Sequence, residues 1–200
     1  MDEGRSFARL GEAQFDAAIT VADDVTHPMA VGIGFDAEGT PKSRVEIIRE
    51  GVTASLIHDR RTAKALGAAS TSNAVAGAGP FGALPANLVL SPGSTDDLVA
   101  GMERGLLVTD FWYTRILDPR TMVVTGLTRN GVWLVEDGRI ARPVTNMRFT
   151  QSYLEALAPG AVRAVGSDMT LVGGATFGLG AYVVPSLHLA SWNFTGGAKG

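Results

Sequence analysis

The sequence predicts an α+β domain in which antiparallel β-sheet predominates and helices are few and short. Three observations carry this. Runs of β-forming residues recur along most of the 200 residues, separated by Gly, Pro, Asn and Asp. Two tight-turn dipeptides, Asn130-Gly131 and Asp137-Gly138, stand between such runs in TMVVTGLTRNGVWLVEDGRIARPV, residues 121–144. Helical periodicity surfaces only in short pieces.

Taken in order, residues 15–21 (FDAAITV) alternate apolar with small or polar residues and predict a strand ended by Asp23-Asp24. Residues 29–35 predict a second strand, and DAEGTP follows as a turn. VEIIREGVTASLIH predicts a hairpin about Glu50-Gly51. Arg60 to Leu66 predicts a short helix closed by Gly67. Residues 68–86 are rich in Ala, Gly, Ser and Pro without period, which predicts a long loop, mobile or held by a partner subunit. Asn87 to Leu90 reads as a strand, and Ser94 with Asp97 as the start of a helix over 95–104 that Gly105 ends. A strand over 106–109 precedes the 121–144 stretch, which predicts a three-stranded meander whose middle strand, around Val132 to Val135, is covered on both faces. Residues 150–158 predict a short amphipathic helix, and strands are expected over 161–172 and 184–194. No internal repeat is present.

Composition bounds the function. With 46% hydrophobic residues the chain can bury a sizeable core, expected as one unit over 1–200 with possible subregions at about 1–86 and 87–200. A formal charge of -3 and the lack of any Lys/Arg run argue against nucleic-acid binding. There is no cysteine, so neither a disulfide nor a thiolate metal site can form. No apolar run reaches the length of a membrane span, and MDEGRSFARLGE is too charged for a signal peptide, so a cytoplasmic location is expected.

Chemistry-bearing patterns are sparse. His27, His58 and His188 lack the spacing of a helical metal pair. Asp23, Asp24 and His27 could build a metal site across the fold, with an ordinary turn before Pro28 as the plainer reading. Asp36 and Glu38 could act as an acid/base pair, though their Gly- and Pro-containing context spells a turn. No GxSxG elbow occurs. Glycines 173, 174, 178 and 180 lack the Lys-Ser/Thr and the flanking helix of phosphate-binding loops, so a loop or bulge is expected. Phe111, Trp112 and Tyr113 are residue types that anchor interfaces, and equally types that fill cores. The residues alone therefore assign no catalytic, metal or cofactor-binding residue.

A resemblance takes the reading further. Asp23-Asp24, DAEGTP at 36–41, EGV at 50–52, TAKALGAASTSNA at 62–74, NLVLSPG at 87–93, RGLLV from Arg104, Thr125-Gly126 and VEDGRIARPV from Val135 resemble, in order, the C-terminal half of the TldD/PmbA family, also called modulator of DNA gyrase. The resemblance runs from about residue 6 to the end. It implies a peptidase system in which a TldD subunit carries a zinc-type His-Glu-x-x-x-His helix and pairs with a TldE/PmbA subunit that lacks the metal. It further implies that the metal helix lies upstream of the matched segment, with a cysteine ligand in the glycine-rich region near the C-terminus. Here Leu171 to Gly180 offers no thiol, imidazole or carboxylate. The expectation is thus a non-metal TldE/PmbA-like domain, associating with itself or with a TldD-like metallopeptidase subunit that acts on peptides. Two alternatives stand beside it: a fragment of an active zinc peptidase whose metal helix lies upstream of Met1, and a free-standing protein-interaction module.

Overall fold

The computed structural model describes residues 6–76, 82–173 and 181–197. Its elements are β1 (Val21–Asp23), β2 (Val45–Arg49), β3 (Val52–Thr53), α1 (Arg60–Leu66), β4 (Asn87–Leu90), β5 (Arg104–Asp118), β6 (Val123–Glu136), β7 (Arg139–Pro143), β8 (Met147–Ser152), α2 (Tyr153–Ala156), β9 (Val162–Val165), β10 (Thr170–Val172), β11 (Ala181–Val184), β12 (Leu187–Leu189) and β13 (Phe194–Gly197). The α+β class dominated by antiparallel sheet is thus the observed one.

Two sheets organise the chain. In the first, the strand order is β10-β11-β4-β1-β2-β3, antiparallel except where β11 runs parallel to β4. β10 and β11 therefore share a sheet with strands from the first 90 residues. In the second, the long β6 is the centre: β5 lies on one edge, and β7 and β8 share the other, β7 along Trp133–Glu136 and β8 along Val123–Leu127. β13 extends that sheet beyond β8, and β9 with β12 forms a separate ribbon. Ile19, Ala22, Val89 and Val183 form the core of the first sheet, and Val124, Val132, Val135 and Phe149 that of the second.

The hairpin about Glu50-Gly51 forms as expected, both residues having positive φ (48° and 80°). Its tip is locked in place. The Gly51 carbonyl accepts from the Gln14 and Phe15 amides, and a Cβ on Gly51 would lie 2.3 Å from the Phe15 carbonyl oxygen. Helix α1 also matches expectation. Asp59 caps it reciprocally with Thr62, and Gly67 closes it at φ 66°.

Elsewhere local chemistry overrides the pattern. Residues 15–20 are not a strand, because the Asp16 side chain accepts from the Ala18 amide and its carbonyl from the Ile19 amide, folding a turn there. Residues 29–35 do alternate, with Val31, Ile33 and Phe35 exposed, but among the described residues they pair with no strand beyond a bridge from Phe35 to Pro41. The helix expected over 95–104 is a turn: the Asp97 carboxylate takes the amides of Val99 and Ala100, and glycines at 101 and 105 weaken any continuation. Asn130-Gly131 is not a hairpin tip. It is a bulge inside β6, where both residues oppose the single Thr109 of β5 between the Val108↔Val132 and Asp110↔Arg129 pairs.

The first hairpin turn falls instead after Asp118, whose carboxylate accepts from the Arg120 amide and the Thr121 hydroxyl. Asp137-Gly138 does turn β6 into β7, both residues with positive φ. Val132 and Val135, on opposite faces of β6, are both buried, as the two-sided apolar pattern requires. The 150–158 helix shortens to α2 because Thr150 to Ser152 complete β8. The strand expected over 161–172 is interrupted between β9 and β10, and that over 184–194 is reduced to β11's end, β12 and β13's start.

Candidate functional site

Four of the segments that carry the resemblance meet in one place. Asp23 at the end of β1, Lys42 after the DAEGTP turn, Asn73 in the loop after α1 and Asn87 at the head of β4 enclose a polar cluster inside the first sheet. Asp23, Asn73 and Asn87 are 3%, 0% and 1% exposed. The Asp23 carboxylate takes three donors: the Lys42 ammonium at 3.3 Å and the Asn73 amide nitrogen at 2.5 Å on one oxygen, and the Asn87 backbone N–H at 2.7 Å on the other. Lys42 also donates to the Ser72 carbonyl at 2.8 Å, and Thr71 donates its hydroxyl to the Asn73 carboxamide oxygen at 2.7 Å.

Two further carboxylates work the same way. Asp36 accepts from the amides of Glu38, Thr40 and Ala74. Burial pushes its carboxyl up, but the donors on Thr40, Ala74 and Glu38 outweigh burial and hold it below the usual carboxylate range. Asp24 accepts the Thr26 amide and hydroxyl on one oxygen and faces Arg44 at 3.5 Å on the other. These contacts fasten the 24–44 stretch and the loop after α1 to the sheet. Within residues 68–76 the expectation of a mobile loop is thereby corrected: Ser72 and Asn73 are buried and anchored within the chain.

The weighed catalytic and metal readings do not assemble. Asp23 and Asp24 belong to different networks, and the His27 ring nitrogen accepts from the Met29 amide. Glu38 turns away from Asp36 and accepts from the Arg60 amide. His58 serves the loop through its backbone, its carbonyl accepting from Thr71, while His188 lies on β12. Among the described residues no three His, Cys, Asp or Glu side chains gather as metal ligands. The zinc that the resemblance implies therefore does not fit the donor sets seen. Asp23 already holds an ammonium, and a dication placed beside it would meet that charge at close range. Gly173 is exposed, and glycines 174, 178 and 180 lie outside the described residues.

A second feature lies on the other sheet. A cleft of about 890 Å³ runs between the 96–102 turn, the first half of β5, α2 and the β9/β12 ribbon, with Leu98, Met102, Tyr153, Leu187 and Trp192 among its walls. Burial pushes the Tyr153 phenol up from its ordinary value. Trp192 stacks on Phe111 at 5.0 Å, and its indole N–H is buried without a partner among the described residues. Sequence reasoning missed this cleft, since its walls come from stretches spread between Asp96 and Phe194. It also missed Lys42, Asn73 and Asn87. The available signal was that each lies in or beside a segment of the resemblance.

A family profile described as the PmbA/TldA metallopeptidase C-terminal domain matches residues 1–196. The chain belongs to that family. A curated relative named metalloprotease, from Methanothermobacter thermautotrophicus, is 28% identical over 167 residues, 82% of this chain and 36% of the relative. Among solved structures, TldE from Thermococcus kodakarensis has the same fold at a TM-score of 0.79 and 21% identity, over 94% of this chain and 42% of that one. A protein described as a modulator of a DNA gyrase from Thermotoga maritima gives a TM-score of 0.77 at 24% identity, over 93% of this chain and 41% of that one. The chain thus spans roughly two-fifths of the length of these relatives.

Proposed function

We propose that this chain is the C-terminal domain of a non-catalytic, TldE/PmbA-like subunit in a cytoplasmic peptide-degrading or peptide-maturing assembly, whose metal centre belongs to a TldD-like partner. One observation carries this reading. The carboxylates Asp23, Asp24 and Asp36 all serve as internal fasteners, each with both oxygens engaged by amides, hydroxyls or cationic side chains of the same chain. A general base or metal ligand needs a lone pair facing substrate or ion. Membership of a metallopeptidase family supplies the context, and the likeness to TldE agrees with it.

The experiment is reconstitution. The purified chain is incubated with an unstructured peptide, alone and with a TldD-like metallopeptidase subunit, and cleavage is followed by mass spectrometry. The reading expects no cleavage by the chain alone and chelator-sensitive cleavage in the mixture. Chelator-sensitive cleavage by the chain alone would overturn it.

A second reading is favoured by the relative named metalloprotease, which matches over most of this chain. In it, these residues form the scaffold half of an active zinc peptidase whose His-Glu-x-x-x-His helix lies upstream of Met1. The coding sequence ahead of Met1 discriminates: that motif there selects the second reading.

A further inference from the structure

The polar cluster of the first sheet brings together an amine, a carboxamide and a carboxylate that touches both, nearly closed to solvent. The Lys42 ammonium and the Asn73 amide nitrogen meet on one and the same oxygen of Asp23, at 3.3 and 2.5 Å. The Lys42 and Asp23 side chains are 7% and 4% exposed, and Asn73 is fully buried. An ammonium is a costly choice here. Asp23 already accepts from Asn73 and from the Asn87 backbone, and a buried ion pair repays its desolvation poorly. Lys42 also donates at 2.8 Å to the carbonyl of Ser72, which ties the amine to the backbone next to Asn73. The Asn73 carboxamide is turned for substitution. Its nitrogen faces the Asp23 carboxylate, and its oxygen lies 2.7 Å from the Thr71 hydroxyl, which the His58 N–H in turn holds at 2.6 Å.

We propose that Lys42 and Asn73 join in an intramolecular isopeptide bond, with Asp23 as the acid/base catalyst. Asp23 first takes a proton from the Lys42 ammonium. Both charges vanish together, which costs less in a site closed to water than in solution. The Nζ lone pair then attacks Asn73 Cγ, and the negative charge that gathers on Oδ1 meets the Thr71 hydroxyl as donor. The Cγ–Nδ2 bond breaks as Asp23 gives its proton to Nδ2, the atom it already faces, and ammonia leaves. The surplus proton on Nζ passes through the same carboxylate to the departing ammonia, which exits as ammonium. An ammonium and a primary amide have become a secondary amide and ammonium, with no oxidant or other reactant consumed and Asp23 restored. An amine and an amide do not react at useful rates in dilute solution. Held in one site they gain an effective concentration that reaches on the order of 10⁵–10⁸ M when orientation is good. The product ties the strand-side residue Lys42 covalently to the loop after α1.

The bond goes beyond the proposed function, and its test needs no metal, peptide or partner subunit. Intact mass spectrometry of the purified wild-type chain, denatured after prolonged incubation at neutral pH, should show most of the sample lighter than the sequence mass by one ammonia. Tandem spectra of a tryptic digest should show one branched peptide joining the segment that holds Lys42 to the segment that holds Asn73, with no cleavage after Lys42. Lys42→Arg keeps a cation beside Asp23 but no attacking amine, so it should fold, by circular dichroism, and keep its full mass. Asn73→Ala and Asp23→Asn should keep theirs as well. Wild type at full sequence mass would overturn the inference, and so would loss of water in place of ammonia, the mark of a Lys42–Asp23 amide. Ammonia lost elsewhere, as a closed imide at Asn130-Gly131 with Lys42 still cleaved, or a loss that survives in Lys42→Arg, would overturn it too. None of these results bears on whether the chain cleaves peptides.

Discussion

Replacing Asp23 with alanine removes the group on which the first sheet and two loops converge. It strands the Lys42 ammonium, whose side chain is 7% exposed, leaves the Asn87 amide without its acceptor, and leaves the Asn73 carboxamide only its 3.4 Å contact to the Leu84 carbonyl. Breaking one side of a buried ion pair costs about 3–5 kcal/mol, because the remaining charge stays desolvated and uncompensated. Set against a total stability of roughly 5–15 kcal/mol, that is a large fraction. At about 2–4 °C per kcal/mol for a chain of this size, the melting temperature should fall by roughly 6–20 °C. Thermal and urea unfolding followed by circular dichroism measure it. The double variant Asp23→Ala with Lys42→Met should recover part of the loss, since an apolar side chain no longer needs the carboxylate. If Asp23→Ala costs less than about 1 kcal/mol, or adding Lys42→Met makes it worse by its full separate cost, the cluster is not the anchor argued here.

Three other outcomes follow from the same geometry. Asp36 has a depressed pKa, so its contribution is present above the ordinary value of 3.8 and is lost as pH falls through the folded value. Asp36→Asn should therefore flatten the acid limb of a urea-midpoint profile taken from about pH 6 to about pH 3. Gly51→Ala must hold φ at 80° and push a methyl against the Phe15 carbonyl, so a loss of about 1–3 kcal/mol is expected by the same unfolding assay. Asp59→Ala removes the reciprocal cap of α1 and should cost about 1 kcal/mol, read as a shift in the urea midpoint at constant slope.

What the sequence made legible was local. Glu50-Gly51, Asp137-Gly138 and the Asp59/Thr62/Gly67 caps are short-range devices whose chemistry is complete within a few residues. Asn130-Gly131 carries the same positive-φ preference as a turn, yet β6 uses it for a bulge, because β5 continues alongside for fifteen residues and only pairing over that length separates the two outcomes. The helix expected after Ser94 failed because Asp97 bonds its own following amides, a competition the capping pattern does not reveal. Of the candidate site, Asp23, Asp24 and Asp36 were visible as acidic residues in turn-like settings. Their role as anchors was not, since Asp23 is joined to Asn73 and Asn87 across 50 and 64 residues of chain. For Phe111-Trp112-Tyr113 the sequence left core and interface open. The exposed β5 edge excludes a core role for Trp112 and Tyr113, while Phe111 does both, stacking on Trp192 and lying partly in solvent.

The central claim is that the acidic residues of this domain hold loops and leave metal chemistry to a partner. Elemental analysis of the purified chain, dialysed against zinc and then desalted, tests it most directly. The account predicts far less than one zinc per chain and no change in melting temperature on adding zinc or chelator. One zinc per chain, lost together with thermal stability in Asp23→Ala or Asp36→Asn, would contradict it.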